Sequence, residues 1–197
     1  SIIQSMINRQ IRRVLMRRLS RNPAAALVGP RQCGKTTLAR SMNGAYFDLE
    51  QEQERLRLDI EWPELLRRRH PIILDEAQAW PEIFPRLRGA IDAEPRRKGR
   101  FLLLGSVSPT LMTRVSESLA GRMALVELTP FTLEERSKDL SRIWLCGGYP
   151  AGGVLEVSCF PQWQNDYLAM LAQRDLPAWG LSAKPQVTQR LLRMAAA

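Results

Sequence analysis

Short apolar runs alternate along the chain with longer segments in which apolar residues recur every three or four positions. Five runs have the length of buried strands, at residues 24–28, 45–49, 71–74, 101–104 and 123–128. The segments between them have room for helices, and glycine, proline and asparagine mark several of the turns. This alternation predicts an α/β core of three layers with a five-stranded parallel sheet.

The region before the first strand is predicted to form an amphipathic helix, residues 4–20. Its apolar positions recur at helical spacing, and most of its arginines lie on the other side. We favour a helix packed on the core with a solvated basic face; the alternative is a contact with nucleic acid or a membrane surface. Separate helices are predicted at 50–60 and 64–69, because Pro63 suits a first helical turn.

The loop after the first strand carries the strongest chemical signal. Residues 29–37 read Gly-Pro-Arg-Gln-Cys-Gly-Lys-Thr-Thr, the G-x-x-x-x-G-K-T phosphate-binding pattern, between a predicted strand and a predicted helix. Its glycines let backbone N–H groups converge on an anion at the positive end of the helix. In this pattern the lysine reaches the β- and γ-phosphates and the next threonine ligates Mg²⁺. The predicted phosphate-binding residues are Gly29, Pro30, Arg31, Gln32, Cys33, Gly34, Lys35, Thr36 and Thr37.

Two adjacent carboxylates, Asp75 and Glu76, follow the third strand. An acid at this place in phosphate-loop enzymes holds Mg²⁺ opposite the loop threonine, which assigns Asp75 and Thr36 to the metal. Glu76 is predicted to orient and deprotonate an attacking water, as a catalytic residue beside Lys35. Ser106, at the end of the fourth strand, is the first candidate for a polar sensor residue, and Ser108 is the second.

The formal net charge of +9 is unevenly distributed. Nine of the 29 Lys and Arg residues precede Asp48, which is the first acid, and the other 20 equal the 20 Asp and Glu residues in number. The basic excess therefore suits an anionic ligand. The three cysteines have no metal-ligand spacing, and Cys33 is interpreted as an inert loop thiol, with oxidation sensitivity as the alternative. With no apolar run of about 18 residues and no secretory signal, we expect a cytoplasmic protein with reduced thiols.

Several segments in order resemble a known family. They are the loop at 29–37, Ile-Ile-Leu-Asp-Glu-Ala-Gln at 72–78, Leu-Gly-Ser-Val-Ser-Pro at 104–109, Ser-Leu-Ala-Gly-Arg at 118–122 with Glu-Leu-Thr-Pro-Phe at 127–131, and Gly-Gly-Tyr-Pro at 147–150. The chain is similar to the predicted prokaryotic ATPases of the AAA+ superfamily, close to the STAND-type signalling ATPases, which usually carry a further C-terminal domain. The loop departs from that pattern in having Cys33 where Thr, Ser or Val is common.

The resemblance implies ATP or ADP and Mg²⁺ as ligands. It also implies a P-loop NTPase core of the additional-strand type, in which a further strand lies between the strand of the phosphate loop and the strand that ends in the acid. It further implies that Arg122 acts near the γ-phosphate, with Arg114 as the competitor; the alternative is that both are ordinary surface arginines. The turn at 147–150 looks like the one that brings a lid onto the nucleotide, and a plain turn between subdomains is the alternative. The expectation that the bound nucleotide carries adenine rather than guanine rests on this resemblance.

We therefore expect three regions: a basic helix at 1–22, an ATPase core at 23–139, and a helical lid at 140–197 that leads into a further domain. The expected function is Mg²⁺-dependent ATP binding and hydrolysis. One alternative is a nucleotide-gated signalling switch with negligible turnover. Another is a DNA-binding ATPase that uses the basic N-terminal helix. Nucleic acid and a second copy of the chain are the candidate macromolecular partners.

Overall fold

The structure is a computed structural model that describes residues 9–106, 117–136 and 140–195. Packing divides the chain into two compact units, Ser1–Pro130 and Phe131–Ala197. The division therefore falls after Pro130 rather than after residue 139, and the first unit includes the N-terminal helix. No helix in the described residues is long and apolar enough to cross a membrane.

The first unit is built around a parallel sheet of five strands in the order β2-β3-β4-β1-β5. This confirms the predicted sheet, with β4 as the additional strand between β1 and β3. Every residue of β1, β3 and β4 is buried, as expected for strands covered on both faces. The strands are β1 Ala24–Gly29, β2 Ala45–Asp48, β3 Ile72–Asp75, β4 Phe101–Ser106 and β5 Met123–Glu127.

Helices connect and cover the strands of this sheet. They are α1 Ile11–Arg21, α2 Lys35–Arg40, α3 Glu52–Leu65 and α4 Ile83–Ala93. Leu15 and Leu19 are the buried positions of α1, which packs on β1 and β5. Val14, which the sequence pattern placed in the same apolar stripe, is exposed. Only part of the predicted stripe therefore faces the core.

The prediction of two helices around Pro63 is wrong, because α3 continues through this proline as one helix. Proline in a helix interior lacks a donor and costs about 3 kcal/mol. Leu58, Trp62 and Leu65 are all buried in the core of the first unit, on both sides of Pro63. Their burial offsets the lost hydrogen bond, because each large apolar side chain contributes about 1.5–3 kcal/mol when it is removed from water.

The second unit is helical. Its helices are α5 Leu140–Cys146, α6 Gln162–Met170 and α7 Pro185–Ala195, and α6 continues as a wider turn at Leu171–Asp175. The rings of Tyr149, Trp163 and Tyr167 lie with centroids 4.8–5.2 Å apart. Tyr149 belongs to the Gly-Gly-Tyr-Pro turn, so this turn is anchored within its own unit by aromatic contacts.

Candidate phosphate-binding site

The phosphate loop joins the end of β1 to the start of α2, where the sequence predicted it. Gln32 and Gly34 have positive φ angles of 60° and 100°. Left-handed residues in such a loop turn successive N–H groups to one side, which forms a concave site for an anion. Gly29 is required for a different reason, since a Cβ there would lie 2.2 Å from the carbonyl oxygen of Leu128.

Lys35 is buried, and its ammonium group lies against its own loop. Nζ donates hydrogen bonds to the carbonyl oxygens of Gly29 at 3.0 Å and Pro30 at 2.8 Å. Both acceptors are neutral, so phosphate oxygens would bind this charge more strongly. Of the other predicted loop residues, Arg31 is half-buried, and Gln32 and Thr37 are exposed.

Thr36 and Asp75 meet at the carboxyl ends of β1 and β3. The Thr36 hydroxyl donates a hydrogen bond of 2.7 Å to Oδ2 of Asp75. The Tyr46 hydroxyl donates to the same oxygen at 2.6 Å. Burial raises the pKa of Tyr46, and the hydrogen bond to Asp75 adds to this rise, so the hydroxyl keeps its proton. We missed Tyr46 in the sequence, although β2 lies beside β3 and a tyrosine there reaches the end of β3.

Glu76 has a left-handed backbone conformation, with φ 48° and ψ 48°. Such a conformation is strained for a residue other than glycine and is found most often at functional sites. Burial raises the pKa of Glu76, and the adjacent Asp75 adds to this rise, while a hydrogen bond from Gln78 opposes it. Gln78 Nε2 donates to Oε2 of Glu76 and thereby fixes the carboxylate.

Ser106 ends β4 and lies in register with Gly29 at the end of β1. Its Oγ is buried and has no hydrogen-bond partner among the described residues. A buried hydroxyl without a partner is costly, and at a site it indicates an absent ligand or water. The position therefore fits a residue that contacts a bound phosphate or its water. Ser108 lies outside the described residues.

Arg9 also contacts the phosphate loop, and the sequence pattern gave no signal for it. Its guanidinium donates to the carbonyl oxygens of Cys33, at 3.2 Å, and of Thr129. It lies before the first turn of α1 and is buried. A buried arginine that links two backbone segments can be found only from the fold. It ties the loop to the segment after β5.

Arg122 is not brought to the phosphate loop. It precedes β5, and its carbonyl accepts a hydrogen bond from the amide of Ala24, at the first residue of β1. The phosphate loop follows the last residue of β1, so it lies at the opposite end of this strand. The guanidinium of Arg122 forms two hydrogen bonds with Asp92, of 2.7 and 3.1 Å. In this chain Arg122 therefore cannot reach a phosphate bound by the loop; Arg114 lies outside the described residues.

Cys33 is fully buried beneath the loop. Burial raises the pKa of its thiol, although Lys35 and Arg9 act in the opposite direction. A neutral, inaccessible thiol is unreactive. The geometry therefore favours an inert loop residue over a redox-sensitive one.

The residues present fit a magnesium ion shared with a nucleotide. Mg²⁺ is usually bound by one or two protein oxygens together with phosphate oxygens and water. Thr36 Oγ1 and Asp75 Oδ2 are such a pair, and they already lie in contact. In the described part of the chain no group of three or more His, Cys, Asp and Glu side chains is arranged to hold a metal by itself.

The parallel sheet, the glycine loop that closes on a helix, and the contact of Thr36 with Asp75 together define a P-loop NTPase. Residues 21–137 match the AAA domain family, AAA_14. The chain belongs to this family. The match spans the whole sheet and every residue of the phosphate loop, and it includes only the first seven residues of the second unit, 131–137.

Similar proteins are found in mycobacteria and in an archaeon. Uncharacterized protein Mb2031c of Mycobacterium bovis and uncharacterized protein Rv2008c of Mycobacterium tuberculosis are each 40% identical over 182 residues. These alignments cover 89% of this chain and 41% of each relative, so the chain spans less than half the length of these relatives. The Walker-type ATPase PABY2304 of Pyrococcus abyssi has a similar fold, with a TM-score of 0.64 and 17% identity over 95% of this chain and 77% of that one.

Proposed function

We propose that the chain binds ATP with Mg²⁺ and hydrolyses it. The observation that carries this proposal is the hydrogen bond between Thr36 and Asp75 beside the phosphate loop. It brings the two predicted metal ligands together from positions 39 residues apart. The same place holds a positive charge, on Lys35, and a half-buried carboxylate, on Glu76. Family membership supports this assignment, as does the structural similarity to a Walker-type ATPase.

Each residue has a defined part in the proposed reaction. The loop amides and the Lys35 ammonium bind the β- and γ-phosphates, and Lys35 leaves the carbonyl oxygens of Gly29 and Pro30 to do so. A magnesium ion held by Thr36 and Asp75 would neutralise charge on the phosphate oxygens. Glu76 accepts a proton from the attacking water while Gln78 holds the carboxylate in place. The Ser106 hydroxyl donates a hydrogen bond to the phosphate or to that water.

The test compares Glu76→Gln with Lys35→Met in the full-length protein. Glu76→Gln keeps the shape of the side chain and removes the base, so ATP binding should persist while turnover falls by about 10²–10⁴-fold. Lys35→Met removes the phosphate-binding charge, so ATP binding itself should be lost. Binding is measured by calorimetry and turnover by phosphate release. Normal turnover in Glu76→Gln would exclude the assigned base.

The position of Arg122 favours a second candidate, a nucleotide-gated switch with very slow turnover. Arg122, which the resemblance assigned to the γ-phosphate, is bonded to Asp92 away from the loop, and Arg114 lies outside the described residues. An arginine finger contributes about 10³–10⁵ in rate, so a P-loop NTPase that lacks one hydrolyses its nucleotide slowly. Tightly retained ADP after a single turnover would identify a switch. Sustained turnover at a steady rate would identify an ATPase.

A further inference from the structure

All five strands are parallel, so their amino ends lie along one side of the sheet and their carboxyl ends lie along the opposite side. The phosphate loop and the carboxylates Asp75 and Glu76 lie where strands end. The segments that precede the strands meet at the opposite edge. We call this surface the amino edge and define it by four segments: residues 18–23, 66–71, 94–100 and 119–122.

Backbone hydrogen bonds join these four segments into one surface. The amide of Arg100 donates to Pro23 at 2.9 Å, and the carbonyl of Arg100 accepts from Ile72 at 2.8 Å. The amide of Ala24 donates to the carbonyl of Arg122 at 3.4 Å. The sheet itself thus places the four segments side by side.

Arg97 connects the two most basic segments. Arg97 lies in the loop after α4, and its guanidinium donates hydrogen bonds to the carbonyl oxygens of Leu66 and Arg68 in the loop after α3. It also forms an ion pair with Glu94 at 3.3 Å. Arg97 therefore has a structural role, and it holds the loop after α3 beside the loop after α4. A small pocket between these loops is lined by Arg68, Arg69 and Lys98, among others.

The amino edge concentrates positive charge that the sequence distributes over about a hundred residues. The four segments contain ten Lys and Arg residues and a single carboxylate, Glu94. Four of the cations have ion-pair partners, which are Glu64, Glu94 and Asp92. Six exposed cations have no carboxylate within 4.0 Å in the part of the chain that the structure describes: Arg18, Arg21, Arg67, Arg69, Arg96 and Lys98.

We propose that the amino edge binds the phosphate backbone of duplex DNA. So many unpaired cations repel one another, and that cost is removed when phosphates neutralise them. Five of the six are arginines, whose planar forks match phosphate oxygens. The first residues of β3, β4, β1 and β5 lie side by side and span about 14 Å. With extended side chains at both ends, this surface is broad enough to contact both sides of a groove.

The side chains of the amino edge favour a duplex over other polyanions. Proteins that bind single strands use exposed aromatic rings as stacking platforms. The four segments contain no exposed Phe, Tyr or Trp, and all their residues are described. Membrane-surface binding relies on apolar side chains that enter the lipid. The exposed large hydrophobic residues lie outside these four segments. The amino edge thus presents positive charge without exposed aromatic rings and without exposed large apolar side chains.

Fluorescence anisotropy with a labelled duplex tests this proposal. The full-length protein should bind a mixed-sequence duplex of about 20 base pairs, and affinity should fall by about 10³-fold between about 50 and 200 mM salt if six phosphates are contacted. The variant Arg67→Glu/Arg69→Glu reverses two exposed, unpaired charges. It should reduce affinity at least about tenfold and lower the salt slope by about two. Arg96→Glu/Lys98→Glu should have a similar effect from the neighbouring loop.

The matched control is Arg13→Glu/Arg17→Glu on the exposed side of α1. It makes the same change in net charge outside the four segments, so it measures the general electrostatic effect and tests the preceding turns of the basic helix as the contact. All variants alter exposed residues. Their ATP affinity should be unchanged, because the nucleotide site lies at the other edge. This measurement also shows that each variant is folded, and it keeps DNA binding separate from the proposed ATPase activity.

Four results would overturn the proposal. The first is no duplex binding at low salt, and the second is equal loss of affinity in the edge variants and the α1 control. The third is unchanged affinity in both edge variants. The fourth is preferential binding to vesicles of equal parts phosphatidylserine and phosphatidylcholine, with the same dependence on Arg67 and Arg69, which would make the amino edge a lipid-binding surface.

Discussion

The Tyr46 hydroxyl donates a hydrogen bond of 2.6 Å to Asp75 Oδ2, the same oxygen that accepts a hydrogen bond from Thr36. Tyr46 is placed on β2 so that its ring lies under the guanidinium of Arg40, 4.6 Å from the centroid. The ring is thus held on one side by a cation and at its tip by a carboxylate. Tyr46 therefore fixes the side-chain conformation of a predicted metal ligand.

Tyr46→Phe should weaken magnesium binding and leave metal-free ATP binding unchanged. Partners of metal ligands typically contribute 10–100-fold to metal affinity, so we expect the Mg²⁺ concentration for half-maximal ATP binding to rise about tenfold. A magnesium titration of ATP binding measures this. Tyr149→Phe is the matched control, because its hydroxyl bonds to Tyr167 within the second unit. A lower magnesium requirement in Tyr46→Phe would mean that the hydroxyl competes with the metal.

Ser106→Ala should separate a functional role from a structural one. The hydroxyl is buried without a partner in the described structure, so its removal should leave the free energy of unfolding unchanged or raise it by about 1 kcal/mol. If Ser106 donates to the phosphate or the water, turnover should fall by about 10²-fold with little change in ATP binding. Ser41→Ala is the control, since that hydroxyl donates to the carbonyl of Leu38 and its loss should reduce stability instead. Reduced stability with normal turnover in Ser106→Ala would contradict the assignment.

The parts of the site that could be predicted are those that local sequence determines. The phosphate loop follows a strand directly, and Asp75 ends an apolar run, so the position of each in the fold could be predicted from pattern alone. Tyr46 and Arg9 were missed because their partners lie 29 and 24 residues away in sequence. Arg122 was assigned by resemblance, although a residue that precedes a parallel strand lies at the edge away from the loop. Pro63 was misread because core burial outweighs its local preference.

Cys33 should react slowly with thiol reagents. Burial raises the pKa of its thiol, so the reactive thiolate forms only when the pH rises through that higher value. We expect labelling by N-ethylmaleimide at least about tenfold slower at the fully buried Cys33 than at the half-buried Cys159. Mass spectrometry of labelled peptides over a pH series measures both rates. Unfolding in urea should make the two cysteines equally reactive, and equal rates in the native protein would show that the loop opens.

Arg9→Met should destabilise the first unit and weaken ATP binding together. The guanidinium donates to the carbonyls of Cys33 in the phosphate loop and Thr129 after β5, so its removal leaves both without a charged donor. We expect a loss of about 1–3 kcal/mol in the free energy of unfolding. Arg9→Lys should retain part of the stability and ATP affinity that Arg9→Met loses. An ammonium group joins two carbonyl groups less well than a planar guanidinium does.

Arg13→Met provides the comparison for Arg9, since Arg13 is exposed on α1. Surface substitutions of this kind usually change stability by less than about 0.5 kcal/mol. Urea unfolding followed by circular dichroism, with ATP affinity measured in parallel, distinguishes the two positions. If Arg9 only fills space, Arg9→Met and Arg9→Lys should be equally stable. If it holds the loop in shape, stability and ATP affinity should fall in the same order, from arginine through lysine to methionine.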